Sequence, residues 1–218
     1  MNKTKKLTVM VSSTVYGIEE LLDRIYGLLT GPGFEYEVWM SHKGTLPVFS
    51  KHSAYENCLE AVKKCDLFLG IITPQYGSGQ DKDDPESLSI THKEIIKAIE
   101  LNKPRWLLSH DHVVYARKLL ADLSYKGIEG RKKLSLKEGS SSLDDMRVLQ
   151  MYEDATLKHK DAGSAKGNWV QKFSSDEDAL LFTSAQFSRY QEVETFLKEN
   201  FPLESSMKKQ MNSSGGRL

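Results

Sequence analysis

Only two cysteines occur in 218 residues, Cys58 and Cys65. They fall on one predicted helix about two turns apart, too far for an easy disulfide. No histidine is spaced to complete a zinc site with them. Both read as small, buried apolar side chains. An excess of either charge is also missing, because 30 Lys and Arg balance 30 Asp and Glu. That balance argues against the basic bias of a nucleic-acid binder. The short basic runs Lys3-Thr4-Lys5-Lys6 and Arg131-Lys132-Lys133 read as solvated surface. No apolar run is long enough to span a bilayer. The Lys-rich start runs into a strand rather than a signal-peptide core. The expectation is a soluble cytoplasmic protein with no nucleic-acid and no membrane partner. Three motifs are absent as well: a G-x-x-x-x-G-K-[ST] loop, a G-x-G-x-x-G turn after the first strand, and a G-x-S-x-G elbow. Kinase, dehydrogenase and αβ-hydrolase readings therefore lack their key residues.

The chain does carry an alternation of short apolar runs and helical periods. Leu7 to Ser12 is β-branched and apolar, like a buried parallel strand. Ile18, Leu21, Leu22, Ile25, Leu28 and Leu29 recur at helical spacing and stop at Gly31-Pro32-Gly33. Tyr36 to Met40 predicts a second strand. Ser53 with Glu56 forms a capping box for a helix whose apolar face includes Ala54, Cys58, Leu59, Ala61, Val62 and Cys65. Asp66 to Ile72 predicts a third strand, Thr91 to Leu101 a helix, Arg105 to Ser109 a fourth strand, and Val113 to Leu123 another helix. This βα alternation predicts an α/β fold: an open parallel sheet of flavodoxin-like order 2-1-3-4 with helices on both faces. Residues 1–125 form that core.

The pattern weakens in 126–202, the part expected to complete the domain. Gly127 to Ser142 reads as a mobile insert without an apolar face. Leu143 to His159 predicts a helix bearing Met146, Leu149, Tyr152 and Leu157. Trp169 to Phe173 predicts an edge strand that adds a fifth member to the sheet. Ser174 to Glu177 would cap a last helix lined by Phe182, Phe187, Tyr190, Val193, Phe196 and Leu197. Residues 203–218 read as a disordered tail.

Chemistry-bearing residues gather where strands end, which is where ligands collect in open α/β sheets. Ser12, Ser13 and Thr14 close the first strand, and their hydroxyls and N–H groups suit a phosphate or ribose. Helix capping explains them equally well. Tyr76-Gly77-Ser78-Gly79 follows the third strand; its glycines allow close backbone approach, and Tyr76 suits stacking on a base. It also reads as an ordinary turn. Ser89-Ile90-Thr91 opens the next helix, with Glu94 in its first turns. The helix dipole alone accounts for a glutamate there. His92 reads as a surface histidine. His110-Asp111-His112 has the donor types of a metal cluster but reads as a polar loop, so no metal is expected. Asp81, Asp83 and Asp84 lack the rest of an EF-hand pattern and read as solvated.

Taken in order, Val9-Met10-Val11-Ser12-Ser13-Thr14, the stretch Asn57 to Ile72, Gln75-Tyr76-Gly77-Ser78, and Ser89-Ile90-Thr91 with Glu94 and Lys103-Pro104 resemble the DUF4062 domain family over about residues 7–109. One departure stands out: Tyr16-Gly17-Ile18-Glu19-Glu20 keeps the acids of the family's DLKEER segment and loses its arginine. That family is similar in outline to TIR domains and nucleoside 2-deoxyribosyltransferases. In those relatives, a glutamate on the helix after the third strand works at an N-glycosidic bond. The resemblance implies Glu94 as the catalytic residue and Ser12, Ser13, Thr14, Tyr76, Gly77, Ser78 and Thr91 as substrate-binding residues. It implies a nucleotide N-glycosidase acting on NAD or a related nucleotide, with NAD as substrate rather than cofactor, in anti-phage or stress signalling. A non-catalytic TIR-like module that self-associates is the alternative, and deoxyribosyl transfer between nucleosides is a weaker one.

Overall fold

The computed structural model describes residues 6–79, 87–156 and 169–200, the last ten as backbone only. The apolar run at the start forms β1 (Thr8–Ser13), all but its last residue buried. The periodic segment after it forms α1 (Glu19–Thr30), which puts Leu21, Leu22, Ile25 and Leu29 inside and stops at Gly31. Then come β2 (Glu37–Trp39), α2 (Ala54–Lys64), β3 (Leu67–Ile72), α3 (Ile90–Glu100), β4 (Arg105–His110) and α4 (Asp111–Asp122). The capping box of α2 is present in both directions: Ser53 accepts from the Glu56 N–H, and Glu56 accepts from the Ser53 N–H.

The strands form one five-stranded sheet in the order β2-β1-β3-β4-β5, parallel at every pairing. Its last member is β5 (Val170–Phe173). Side chains alternate across the pleat, so β1 feeds two cores. Val9 and Val11 pack with α1 and with Ala179 and Phe187 of α7 (Asp176–Asn200). Met10 packs on the opposite face with Ala61 and Val62 of α2, Ile95 and Ala98 of α3, and Val148 and Leu149 of α6 (Arg147–Thr156). Because both faces are covered, β3 is buried along its whole length.

The stretch expected to be a mobile insert has structure. Gly127–Arg131 forms the short helix α5. Its Arg131 is buried and ion-paired with Glu153 of α6, Nη2 to Oε2 at 2.8 Å. The reason is long-range: a lone arginine in a polar run gives no local sign of the carboxylate 22 residues on that holds it. Ahead of α6, Asp144 accepts a hydrogen bond from the Tyr76 N–H at 2.7 Å, and Arg147 donates to the Ser87 carbonyl at 3.0 Å. The 143–147 segment thereby ties down the loop after β3. Asp81, Asp83, Asp84, Leu157, the start of the Lys3–Lys6 run and the 203–218 tail lie outside the described residues, as do the side chains of Val193, Phe196 and Leu197. No helix of the described residues is long and apolar enough to cross a membrane.

Candidate active site

β1 turns Ser12 to the same face as Met10, toward α2 and α3. Ser89 caps α3, accepting from the His92 N–H at 3.3 Å. That cap fixes where the first turns of α3 point. Glu94 is aimed back at β1, and the Ser12 hydroxyl donates to Glu94 Oε2 at 2.5 Å. The Cys58 thiol of α2 is a second donor to the same carboxyl group. Glu94 is 5 % exposed. Burial pushes its carboxyl up to about 7, against the pull of the Ser12 and Cys58 hydrogen bonds. Among the described residues, no cation pairs with it. Burial and the neighbouring Glu94 push the Cys58 thiol up to about 12, so it stays protonated and donates.

Ser13 does not join Ser12. The strand's alternation turns it the other way, and its hydroxyl donates to the Thr14 carbonyl at 3.0 Å. Thr14 is buried, and among the described residues its Oγ1 has no hydrogen-bond partner. Gly77 comes up against that hydroxyl: a Cβ on Gly77 would lie 2.7 Å from Thr14 Oγ1, and its φ of +87° already favours glycine. Ser12, Thr14, Gly77 and Glu94 thus fall at the carboxyl ends of β1 and β3 and the start of α3. This is also where the strand order reverses, since β1 is flanked by β2 on one side and β3 on the other. Ser78 is exposed and gives its carbonyl to the Ile90 N–H at 3.0 Å, while Thr91 is buried in the first turn of α3.

Tyr76 takes a different place from the one expected. Its ring is 1 % exposed and turned into the core, not toward a stacking ligand. The Arg147 guanidinium lies over the ring at 4.7 Å, and the hydroxyl stands 2.8 Å from His92 Nδ1. His92, expected at the surface, is fully buried. Its Nε2 lies 2.9 Å from Asp154 Oδ2 on α6. A carboxylate only accepts, so Nε2 carries the shared proton and Nδ1 accepts from the Tyr76 O–H. His92 and Glu94 are two residues apart, about 200° around the helix. They serve opposite sides of α3, one the α6 scaffold and the other the sheet edge. A cavity of about 270 Å³ over α5 and α6, lined by Leu88, Ile128, Arg131, Met146, Arg147 and Gln150, does not include Glu94.

Sequence reasoning missed Cys58 as a partner of the carboxyl, together with His92 and Asp154 as braces of the loop. Only the helical phase of Cys58 on α2 pointed inward, and nothing local named what it would meet.

A five-stranded parallel α/β sheet with a buried carboxyl at its switch point defines the class of this molecule. The family described as "Domain of unknown function (DUF4062)" matches residues 8–180. The chain belongs to that family. No curated protein matches it.

Proposed function

We propose that the domain is a TIR-like N-glycosidase whose substrate is NAD or a related nucleotide, with Glu94 as the catalytic carboxylate. One observation carries this reading: a carboxyl at the switch point, buried, poised near neutrality, and held among the described residues by a hydroxyl and a thiol rather than by a cation. Cleaving the bond between ribose C1′ and a base nitrogen leaves positive charge on the sugar. An ionised Glu94 stabilises that charge or traps C1′ as an ester, and water then adds to C1′ and releases a proton. The bonding pair leaves with the base nitrogen. In NAD that nitrogen is a pyridinium, so nicotinamide departs neutral and needs no acid to protonate it. The two donors beside Glu94 are a serine hydroxyl and a thiol far from ionising, neither of which is a strong acid. This favours a pyridinium leaving group over a neutral base, and so NAD over deoxynucleosides. Ser12 positions one carboxylate oxygen, and Thr14 Oγ1, unpartnered among the described residues, is a hydroxyl for a ribose or phosphate. With Glu94 5 % exposed, the edge must open to admit substrate.

The test is to incubate the pure chain with NAD, with other nucleotides and with deoxynucleosides, and to separate the products. Nicotinamide release from NAD supports the reading. Cleavage of deoxynucleosides alone moves it to the transferase class.

A second reading, an assembly module of the same fold that catalyses nothing, is favoured by an apolar stripe on α4. Tyr115 and Leu119 within α4, and Leu123 just past its end, are 55, 60 and 57 % exposed at helical spacing. Sedimentation of wild type against Leu119→Glu separates the two readings. Loss of a defined oligomer in a chain that is silent on every nucleotide supports assembly.

A further inference from the structure

We propose that His110, Asp111 and His112 form a binding site for one divalent transition-metal ion of the zinc type at the carboxyl end of β4. The sequence reads as a polar loop here, but the structure has none. His110 is the last residue of β4, and Asp111 and His112 are the first two of α4. Strand and helix therefore fix the three backbones, and one ligand atom from each lies within 4.8 Å of the others. Among the described residues, this is the one such cluster of His, Cys, Asp or Glu.

The spacing suits a shared ion. His110 Nδ1 and Asp111 Oδ1 are 3.1 Å apart. Two donors bound tetrahedrally at about 2.1 Å from one zinc ion stand about 3.4 Å apart. That pair is therefore already close to coordination geometry. The His112 ring is exposed, with its donor nitrogen within 4.8 Å of the other two ligand atoms. The His110 ring is braced by edge-on contacts with Phe173, at a centroid distance of 5.3 Å, and with His112, at 4.6 Å. Its Nδ1 accepts the His112 backbone N–H at 3.2 Å. That lone pair is the one an ion would take, so coordination at Nδ1 exchanges the capping hydrogen bond of α4 for a metal bond.

Donor type selects the ion. Two imidazoles and one carboxylate suit zinc and its neighbours, not calcium or magnesium, which take oxygen ligands. Three protein ligands leave a fourth position open for water or another molecule. Two features oppose a cation. One is the positive end of α4. The other is Lys172, whose ammonium is tied to the Tyr115 hydroxyl at 3.1 Å. Against them, the Asp111 carboxylate brings a full negative charge to within ligand distance of the two imidazoles. The site lies on the same sheet edge as Glu94, but β4 is two strands from β1, about 10 Å across the sheet. It does not rest on the glycosidase reading.

The test is a Co²⁺ titration of the untagged full chain followed by visible absorption, with Zn²⁺ equilibrium dialysis in parallel. Wild type should take up one ion and develop the absorption of a four- or five-coordinate centre. His112→Ala, at an exposed position, and His110→Asn, which keeps a capping acceptor for α4, should each weaken binding about tenfold or more. Circular dichroism checks the fold. If His110→Asn does not fold, His112→Ala decides alone. No stoichiometric uptake by wild type would overturn the site, and so would uptake that the folded variants leave unchanged.

Discussion

The Ser12 hydroxyl and the Glu94 carboxylate meet across 2.5 Å although 82 residues separate them in sequence. One lies next to the end of β1 and the other in the first turns of α3, so the contact depends on β3 pairing with β1, beside which the strand order reverses. Two influences act on the carboxyl in opposite senses. Burial favours the protonated form, and the Ser12 and Cys58 donors favour the ionised one. Burial prevails, which leaves the group near neutrality rather than fully acidic.

That balance predicts opposite pH trends for stability and activity. The carboxyl titrates near 7 when folded, against an ordinary 4.5. Between those values the unfolded chain ionises while the folded chain keeps its proton, so stability falls as pH rises, by about 1.4 kcal/mol per unit. The loss is complete above about pH 7 and amounts to about 3 kcal/mol. Glu94→Gln removes this titration. Its unfolding free energy relative to wild type should be higher at pH 8 than at pH 5, as measured by urea denaturation at both. A difference independent of pH would contradict the buried, raised carboxyl. Under the glycosidase reading, kcat/KM of wild type should rise through about pH 7 as the carboxylate forms.

Ser12→Ala and Cys58→Ala should each move that rise to higher pH. Both donors stabilise the ionised form, so losing either leaves burial less opposed. Cys58→Ser keeps a donor and should sit closer to wild type. Profiles that coincide for all four proteins would show that neither donor acts on Glu94.

Gly77→Ala should destabilise the fold by about 1–3 kcal/mol. The substitution forces an alanine into φ of +87° and sets its methyl 2.7 Å from Thr14 Oγ1. Adding Thr14→Ser, which keeps the hydroxyl, should recover little. Thermal or chemical denaturation reads the effect, and an unchanged midpoint would contradict the close approach of the two loops.

Glu153→Ala should cost about 3–5 kcal/mol. It strands Arg131, which is 5 % exposed, and removes the partner of Arg117 Nε at 3.0 Å. The damage should show first in the segment that carries Arg131, as faster amide exchange across α5. Uniform protection in the variant would mean the ion pair does not anchor that stretch.

Much of the sheet was legible because strands and helices announce themselves locally. Val9, Val11, Leu67 and Leu69 sit in short apolar runs, and Ser53 with Glu56 is a cap readable over four residues. The order β2-β1-β3-β4 followed from the right-handed crossover rule applied to that alternation. The pairing of Ser12 with Glu94 was legible only through resemblance to a family, since no local rule links residues so far apart. Tyr76 shows where local reading fails. A tyrosine beside a glycine turn suits a surface stacker, yet Asp144, Arg147 and His92, from two distant segments, draw it inward. Arg131 and Glu153 were hidden for the same reason: a buried ion pair leaves no trace in the periodicity of either segment.

Product formation by wild type and Glu94→Gln on NAD, with circular dichroism as the folding control, tests the central claim most directly. Glutamine keeps the shape and loses the charge and the nucleophile. The account predicts nicotinamide release by wild type and a loss on the order of a hundredfold or more in the folded variant. Wild-type turnover in the Gln variant would contradict Glu94 as the catalytic group, and silence of the wild type on NAD and every other nucleotide would contradict the glycosidase itself.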